Sequence, residues 1–575
     1  MPPPSCFPSR VSRHRVAFRC HSKQRPCLNR QSQRRCLPRR PHELRPKRAR
    51  WSCSGTSNNI TGTSGIFDQA EKGHNIAQDD VIWIGWDETD PGNPYNWGTG
   101  RKWLTTWICC VYTLVVAFCG AAFSMGTESM MRDLNCSLEL AVVALSTFPL
   151  GFGLAPLVLA PFSDLWTMQV LPRMLFDVAP KLWLFTVLRF PNNSTDPMYA
   201  ISAIVYTLFF LPITLGRNIA TVIIARFIGG LAASTGSTLV GGTVADLFES
   251  KDRGLPMSIF SLAAFAGTGL GPATMGYVEE NLRLQWRWIS WIQLIIAGVT
   301  SLCIILLTQE TRGSVILSKR AAAKRKETGD PRYQCRSDAE RASLAILIKI
   351  SLTRPLFLLF TEPIVAAFSL WVSFAWGILY LTLRAVPLVF ANVYGFTIGQ
   401  VGLVFYGVVV AGLLGFVSNF YQERLYQRHV ATRGPEARLY AALIGGMIFP
   451  IGTFIFAFTQ GRTHWMGPVI GLMLCFFGIF TIYLSTFNYL ADAYTIYASS
   501  ALSAQSLCRN LLGFAFPLFT SQLYSSLGYQ WASFLSGMLG LALAVTPWVL
   551  FFFGPRIRAS SKFAKELAKM RATDK

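Results

Sequence analysis

The chain has 575 residues, of which 51% are hydrophobic and only 14% are charged. Since soluble domains carry roughly 25% charged residues, this composition excludes a soluble globular protein and indicates helices in lipid. The net charge of +23 does not indicate a nucleic-acid partner, because residues 1–50 hold fifteen Lys and Arg against one acid, Glu43. Residues 1–100 are therefore predicted to be a cytoplasmic, mostly disordered and basic N-terminal region, with a targeting peptide as the alternative for its start.

Twelve apolar runs approach the length of about 20 residues that one membrane-spanning helix needs. Six lie in a predicted N-terminal half, residues 101–307, at 104–126, 140–160, 198–215, 219–244, 255–277 and 288–307. Six more lie in a predicted C-terminal half, residues 355–554, at 360–383, 401–420, 439–459, 468–490, 500–523 and 530–553. Residues 308–354 form a polar cytoplasmic linker and residues 555–575 a cytoplasmic tail. The sequence predicts an all-α integral membrane protein with 12 transmembrane helices in two six-helix halves.

The distribution of basic residues predicts the orientation of these helices. With a cytoplasmic N-terminus, the inside loops hold about twenty Lys and Arg and the outside loops about six, as the positive-inside rule requires. We expect a multi-pass protein of the plasma membrane with both termini and the linker in the cytoplasm. The glycosylation sequon Asn135-Cys136-Ser137 then lies on the outer side.

An arginine lies deep in the fourth run. Arg226, in the string Arg-Phe-Ile-Gly-Gly, is about seven residues into the run, roughly 10 Å deep at about 1.5 Å per residue. A guanidinium stays charged, so at this depth it needs an acidic partner, backbone carbonyls or a wet cavity. We expect Arg226 to line a cavity and to tune a proton-accepting carboxylate; snorkelling to the outer interface is the alternative.

The fifth run contains the glycine-rich string Gly267-Thr-Gly-Leu-Gly-Pro-Ala-Thr-Met-Gly276. Gly267 and Gly271 share one face at four-residue spacing, which allows a neighbouring helix to approach closely, and Pro272 removes a backbone donor. We predict that Gly267, Gly271, Pro272 and Gly276 form a conformational seam between the halves. Ordinary packing of a glycine-rich membrane helix is the alternative.

Together these strings resemble the fungal 12-helix drug:proton antiporter (multidrug and polyamine exporter) group of the major facilitator superfamily. The string Asp90–Trp97 is similar to the D-P-x-x-P-x-N-W motif that precedes the first helix. The strings around Arg226 and Gly267–Gly276 are similar to R-F-x-x-G and G-x-x-x-G-P-x-x-G-G, with the last pair reduced to Gly276. The resemblance covers about residues 87–560. It implies the major facilitator fold and proton-coupled export of drugs, polyamines or secreted metabolites by alternating access.

Further candidate site residues lie in both halves. Arg509 is deep in the eleventh run, where it lines the cavity or, alternatively, forms a structural salt bridge. Aromatic residues of the seventh run stack on substrates or, equally, face lipid. The predicted proton and substrate pathway consists of Arg226, Arg509, Asn488, Trp376 and Tyr380. The resemblance also implies a cytoplasmic gate formed by Asp164, Asp246 and Arg253.

The resemblance is interrupted after the second run. The string Ala160–Asp164 begins the loop motif of the family, but residues 165–195 form an atypical insertion where its Gly-Arg pair should follow. We hypothesise that this insertion is a retained intron or another gene-model error.

The sequence holds no nucleophile–base array, phosphate loop or paired metal-ligand spacing, so we expect no enzyme activity, no cofactor and no metal. The expected partners are a small-molecule substrate, protons and the lipid bilayer, without nucleic acid, and the chain is expected to be a monomer. Alternatives are an uptake carrier, a non-transporting nutrient sensor on the same fold, and a gene model without a functional product.

Overall fold

The computed structural model describes residues 81–165, 197–249, 252–336 and 344–561. The basic region up to residue 80, the insertion from residue 166 to residue 196 and the chain beyond residue 561 lie outside the described residues. Side chains of residues 158–165 and 235–239 lie outside them as well.

The first half consists of helices that follow its apolar runs. They are α1 (Thr99–Ala122), α2 (Thr127–Leu134), α3 (Leu138–Leu165), α4 (Pro197–Leu208), α5 (Phe210–Leu215), α6 (Ile219–Leu247), α7 (Gly254–Glu280) and α8 (Gln285–Leu307). The predicted run 198–215 is divided between α4 and α5, and the short helix α2 lies between the first two runs.

The polar linker contains regular structure. Helix α9 (Gly313–Thr328) is followed by strand β2 (Tyr333–Gln334) and helix α10 (Leu344–Thr361). Strand β1 (Ile82–Trp83), from the segment before α1, pairs in parallel with β2. Arg320 of α9 forms an ion pair with Asp90 of the same segment. The segment that precedes the first helix therefore docks on the linker.

The second half has a similar arrangement of long helices. They are α11 (Pro363–Tyr394), α12 (Ile398–Val404), α13 (Tyr406–Arg433), α14 (Tyr440–Thr459), α15 (Met466–Tyr494), α16 (Ala498–Leu527), α17 (Tyr529–Leu543) and α18 (Val545–Ser560). Local signals explain several ends: Gly395 closes α11 in the left-handed region at φ 66°, and Thr397 and Gln400 form a capping box at the start of α12.

Among the described residues, eight helical stretches are long and apolar enough to cross a membrane. One of them, Ile398–Thr459, includes two of the predicted runs, and the shorter apolar helices Tyr199–Leu215 and Ile219–Ser234 coincide with two more. The all-α membrane fold is confirmed, while the number of twelve spans stays a prediction.

Polar contacts define two ends of the helix bundle. At the linker end, the Tyr95 hydroxyl donates to the Ala245 carbonyl (3.0 Å), close to where α1 starts and α6 ends. At the opposite end, Arg287 at the start of α8 donates to the Thr214 carbonyl of α5 (2.7 Å) and pairs with Asp133 of α2 (2.9 Å). The helices thus run back and forth between these two ends, and apolar side chains fill the space between them.

Candidate functional site

Arg226 of α6 is only 2% exposed and lies inside the first half. Its Nε donates to the Ala144 carbonyl (2.9 Å), and its Nη2 donates to the carbonyls of Gly120 (3.3 Å) and Leu145 (3.5 Å). Its guanidinium also lies over the Phe123 ring at 4.0 Å. Of the partners considered from the sequence, backbone carbonyls hold Arg226, and it pairs with no carboxylate among the described residues.

Arg509 of α16 is 8% exposed and has a different environment. Its guanidinium lies over the rings of Trp376 of α11 (4.7 Å) and Tyr483 of α15 (5.1 Å). The one hydrogen bond of its side chain within the described residues is a 3.5 Å contact to the Ser506 hydroxyl, and its buried Nε has no acceptor there. Arg509 therefore keeps hydrogen-bonding capacity that this conformation does not use.

Arg509, Trp376 and Tyr483 together form a cluster, called here the Arg509 cluster. This cluster lies on the border between the halves. The Trp376 ring is 6.4 Å from the Phe265 ring of α7, which belongs to the first half. Beside Arg509, Asn510 lies against Gly153 of α3, where an added Cβ would be 2.6 Å from the Asn510 Cβ. Trp376 is 7% exposed, so the alternative that it faces lipid is wrong.

Tyr380 of α11 is half-buried and within electrostatic reach of both Arg509 and Arg226. Of the predicted pathway residues, Arg509 and Trp376 are thus in contact, and Tyr380 is close enough to both arginines to interact with their charges. Asn488 is half-buried towards the linker end of α15.

The predicted glycine seam on α7 has two faces. Gly267 and Gly271 face α1 of their own half, since a Cβ at Gly271 would lie 2.5 Å from the Phe118 carbonyl oxygen. Gly276 faces the other half, where its Cβ would lie 2.8 Å from the Ile398 carbonyl oxygen. The Pro272 carbonyl likewise lies close to Gly402 of α12. Of the four predicted seam residues, Pro272 and Gly276 thus border the second half.

At the linker end, the border of the halves is polar. The Asn419 amide of α13 donates to the Ser258 hydroxyl of α7 (2.6 Å). Of the predicted gate residues, Arg253 donates to the carbonyls of Phe248 and Ala245 (both 2.8 Å) and so caps α6. Asp246 is half-buried near this cap, and the side chain of Asp164 lies outside the described residues.

Sequence reasoning missed two buried charged residues near the opposite end. Arg384 of α11 is 8% exposed, and its Nε has no acceptor among the described residues. It is within electrostatic reach of Glu128 of α2. Glu279 of α7 is 5% exposed, and its Oε1 accepts a hydrogen bond from the Ser129 backbone N–H of α2 (3.3 Å). The Oε2 of Glu279 has no partner in the described part of the chain. Both residues lie just beyond the end of a predicted apolar run. From the sequence alone, a buried charged residue in this position cannot be distinguished from an exposed loop residue.

Long apolar helices in two halves, with buried charges where the halves meet, define a membrane transporter rather than an enzyme. Residues 108–517 match the family model of the Major Facilitator Superfamily. This chain therefore belongs to the Major Facilitator Superfamily and is a multi-pass secondary transporter of small molecules.

Similar proteins include several fungal transporters. The MFS-type transporter paaT of Penicillium rubens is 36% identical, over 83% of this chain and 82% of paaT. The MFS-type efflux pump MFS2 of Trichophyton rubrum is 35% identical, over 85% and 78% of the two chains. The multidrug transporter mdrA of Aspergillus fumigatus is 33% identical, over 87% and 79%.

Solved structures have the same fold. The proton:xylose symporter XylE bound to 6-bromo-6-deoxy-D-glucose superposes with a TM-score of 0.54 at 14% identity, over 79% of this chain and 97% of XylE. At this identity the likeness shows the fold alone, and it confirms the predicted major facilitator architecture.

Proposed function

We propose that this protein exports small organic molecules across the plasma membrane in exchange for protons, by alternating access between its two halves. The observation that carries the proposal is the position of the Arg509 cluster, which is buried and incompletely hydrogen-bonded on the border of the halves. A site at this border opens to one side or the other as the halves rock.

The direction of transport is inferred from relatives. Two of the similar proteins carry names that describe an efflux pump and a multidrug transporter. The glycine string of α7, which resembles the antiporter motif, favours export over uptake. Drugs, polyamines and secreted metabolites are the candidate cargoes that this family resemblance implies.

Proton coupling requires a group that binds a proton in one state and releases it in another, because a ligand shifts an equilibrium only by differential affinity. Glu279 is the candidate that we propose, since it is buried on the helix that borders the second half and its Oε2 has no partner among the residues that the structure describes. The charged groups near it are Arg132 and Glu128 of α2. Parting of the halves at Gly276 would change the access of water to this carboxylate.

For Glu279→Gln, we expect export to lose its dependence on the proton gradient while substrate binding is retained. Transport in vesicles with an imposed pH gradient measures the coupling, and Glu280→Gln is the matched control because Glu280 is exposed. Unchanged gradient dependence in Glu279→Gln would exclude this residue as the proton site.

We further propose a cytoplasmic location of both termini and a monomeric state. The excess of Lys and Arg at the linker end supports this orientation. Asn135, which is exposed between α2 and α3, allows a direct test of this orientation. Its glycosylation requires the end of the bundle that is opposite to the linker to face the lumen during biosynthesis.

The experiment for export compares fluorescein, an anion, with rhodamine 6G, a cation of similar shape, in pump-deficient yeast that express the chain. Export of either dye that a protonophore abolishes is the expected result. Accumulation instead of export would favour an uptake carrier, and no movement of either dye despite surface expression would favour a sensor. A version without Leu165–Thr195 tests the insertion, since export by this version alone would mark it as an artefact.

A further inference from the structure

The middle of the predicted apolar runs carries arginines but no carboxylate. The twelve predicted apolar runs contain Arg226 and Arg509, and Arg384 directly follows the seventh run. The one Asp or Glu within these runs, Glu362, lies at the linker end, where the hydroxyls of Tyr494 (3.1 Å) and Ser561 (2.9 Å) donate to it. Among the described residues, no carboxylate pairs with Arg509.

Arg509 also shares its helix face with a second unused donor. Gln505 is four residues earlier on α16, which places the two side chains on one face of the helix. Gln505 is 3% exposed, and its buried Nε2 has no acceptor among the described residues, as is true of the Arg509 Nε. A buried N–H group without an acceptor destabilises the protein. A ligand that supplies acceptor atoms to these two groups would therefore bind favourably.

The aromatic surroundings select against a cation. The Arg509 guanidinium covers one face of the Trp376 ring at 4.7 Å and one face of the Tyr483 ring at 5.1 Å. A cationic ligand would meet the charge of Arg509 at low dielectric, where repulsion is strong. Trp376 is 7% exposed and offers contact to an apolar ring, whereas Phe265, which packs against Trp376 across the border of the halves, is fully buried.

We propose that Arg509 and Gln505 bind the carboxylate of an aromatic organic anion, with Trp376 contacting its ring. The inference rests on the proposed transport function and names its substrate class as organic acids. Arg226 does not take part directly, because its Nε and Nη2 already donate to backbone carbonyls. The bound carboxylate neutralises a charge that no carboxylate among the described residues compensates, and the packing of Trp376 against Phe265 connects its binding to the position of the first half.

The test uses three ligands with one ring system: 1-naphthoate, 1-naphthamide and 1-naphthylmethylammonium. Binding to the purified full chain in nanodiscs is measured by calorimetry at pH 7. We expect 1-naphthoate to bind at least tenfold more tightly than the neutral amide, and the ammonium to bind more weakly than both. Equal affinities, tightest binding of the ammonium, or no binding of 1-naphthoate to folded protein would each overturn the proposal.

Variants assign the selectivity to the site. Arg509→Gln is expected to abolish the preference for 1-naphthoate over 1-naphthamide, and Arg509→Lys to restore part of it. Arg428→Gln removes an exposed arginine and is the matched control. A preference that survives Arg509→Gln would overturn the assignment, and the ligand series on the unaltered chain keeps the test valid if a variant does not fold.

The dye experiment separates this inference from the proposed function. Protonophore-sensitive export without anion selectivity in the binding series would leave the transport proposal intact and refute the substrate class. Selective binding of 1-naphthoate that depends on Arg509, without any export, would support the site and contradict the export function.

Discussion

Arg226 and Arg509 are both buried arginines on membrane helices, one in each half of the protein. Arg226 donates to three backbone carbonyls of α1 and α3 and lies within its own half. Arg509 has one long hydrogen bond among the described residues and lies against aromatic rings on the border of the halves. The same residue type, buried in both places, therefore stabilises helix packing in one half and keeps unused hydrogen-bond donors in the other.

A buried charge in a membrane helix indicates a binding site only when its hydrogen-bond partners are known. A guanidinium that satisfies its donors on carbonyls needs no ligand, although it ties three helices together. A guanidinium with unused donors carries an unpaid desolvation cost, which a ligand anion can offset. This difference between the two arginines can be tested by substitution.

Replacement of Arg226 is expected to have the largest effect on stability. Arg226→Ala removes hydrogen bonds to α1 and α3 and leaves a cavity, which should cost roughly 3 kcal/mol of unfolding free energy. The melting temperature measured by fluorescence-detected size-exclusion chromatography reports this loss. Arg226→Lys, which keeps the charge, is expected to recover part of it.

This result would also decide between the two roles of Arg226. If Arg226→Ala abolishes export and leaves the melting temperature unchanged, Arg226 acts in the proton and substrate pathway as the sequence predicts. If export and the melting temperature both fall, Arg226 acts mainly by stabilising the fold through its contacts with the backbone carbonyls.

Replacement of Arg509 is expected to affect transport rather than stability. Arg509→Gln removes one weak hydrogen bond, two ring contacts and an uncompensated charge but keeps much of the side-chain volume, so unfolding free energy should change by less than about 1 kcal/mol. Export at low substrate concentration should fall at least tenfold through a higher KM. A melting temperature that falls as far as that of Arg226→Ala would contradict the contrast between the two arginines.

A third variant tests whether the border beside Arg509 has to move. In Gly276→Ala the new Cβ lies 2.8 Å from the Ile398 carbonyl oxygen of the other half, so this conformation should lose about 1–3 kcal/mol relative to one in which the halves part. Distances between spin labels on α7 and α12 measure the shift. Gly242→Ala is the control, since a Cβ there meets nothing within 4 Å.

The smallest effect is expected at Arg320, an arginine outside the membrane helices. Hydrogen bonds from Arg320 and from the Gly92 N–H hold the pKa of Asp90 below its ordinary value of 3.8. Since the folded-state pKa is lowered, this pair stabilises docking of β1 on β2 above pH 3.8, and the contribution is lost as the pH falls towards the lower folded-state value.

Amide exchange at Ile82 and Ile84 measures this docking, because these N–H groups donate to Arg332 and Gln334. At pH 7, Asp90→Asn should accelerate their exchange a few-fold. The control Glu327→Gln removes an exposed carboxylate of α9 and should leave these amides unchanged. Exchange in Asp90→Asn that is no faster than in this control would show that Asp90 does not hold the segment.

Much of the fold was predictable from the sequence because the bilayer imposes a length and a polarity on every span. The predicted fifth run, 255–277, corresponds to α7 (Gly254–Glu280), and the predicted tenth run, 468–490, to α15 (Met466–Tyr494). The linker was predicted only as a polar stretch. Its helix α9 carries a polar sequence whose order depends on contacts such as Arg320 with Asp90, and these lie far apart in the chain.

The sequence predicted several residues of the candidate site, but it did not predict which of them lie together. Arg509, Trp376 and Tyr380 stood out because charge and aromatic side chains are unusual in apolar runs. Gln505 and Glu279 did not stand out, because their importance lies in buried atoms without partners.

The amino-acid sequence alone establishes that this protein is a membrane-spanning bundle of helices, and it identifies the arginines that lie in apolar surroundings. Hydrophobic length and charge are local properties of the chain, and they are sufficient for those two conclusions. The packing of the helices, in contrast, brings Arg226 to carbonyls of α1 and α3 and Arg509 to aromatic rings beside the other half. Partners are contributed by helices distant in sequence, so the way in which a buried charge is satisfied depends on packing.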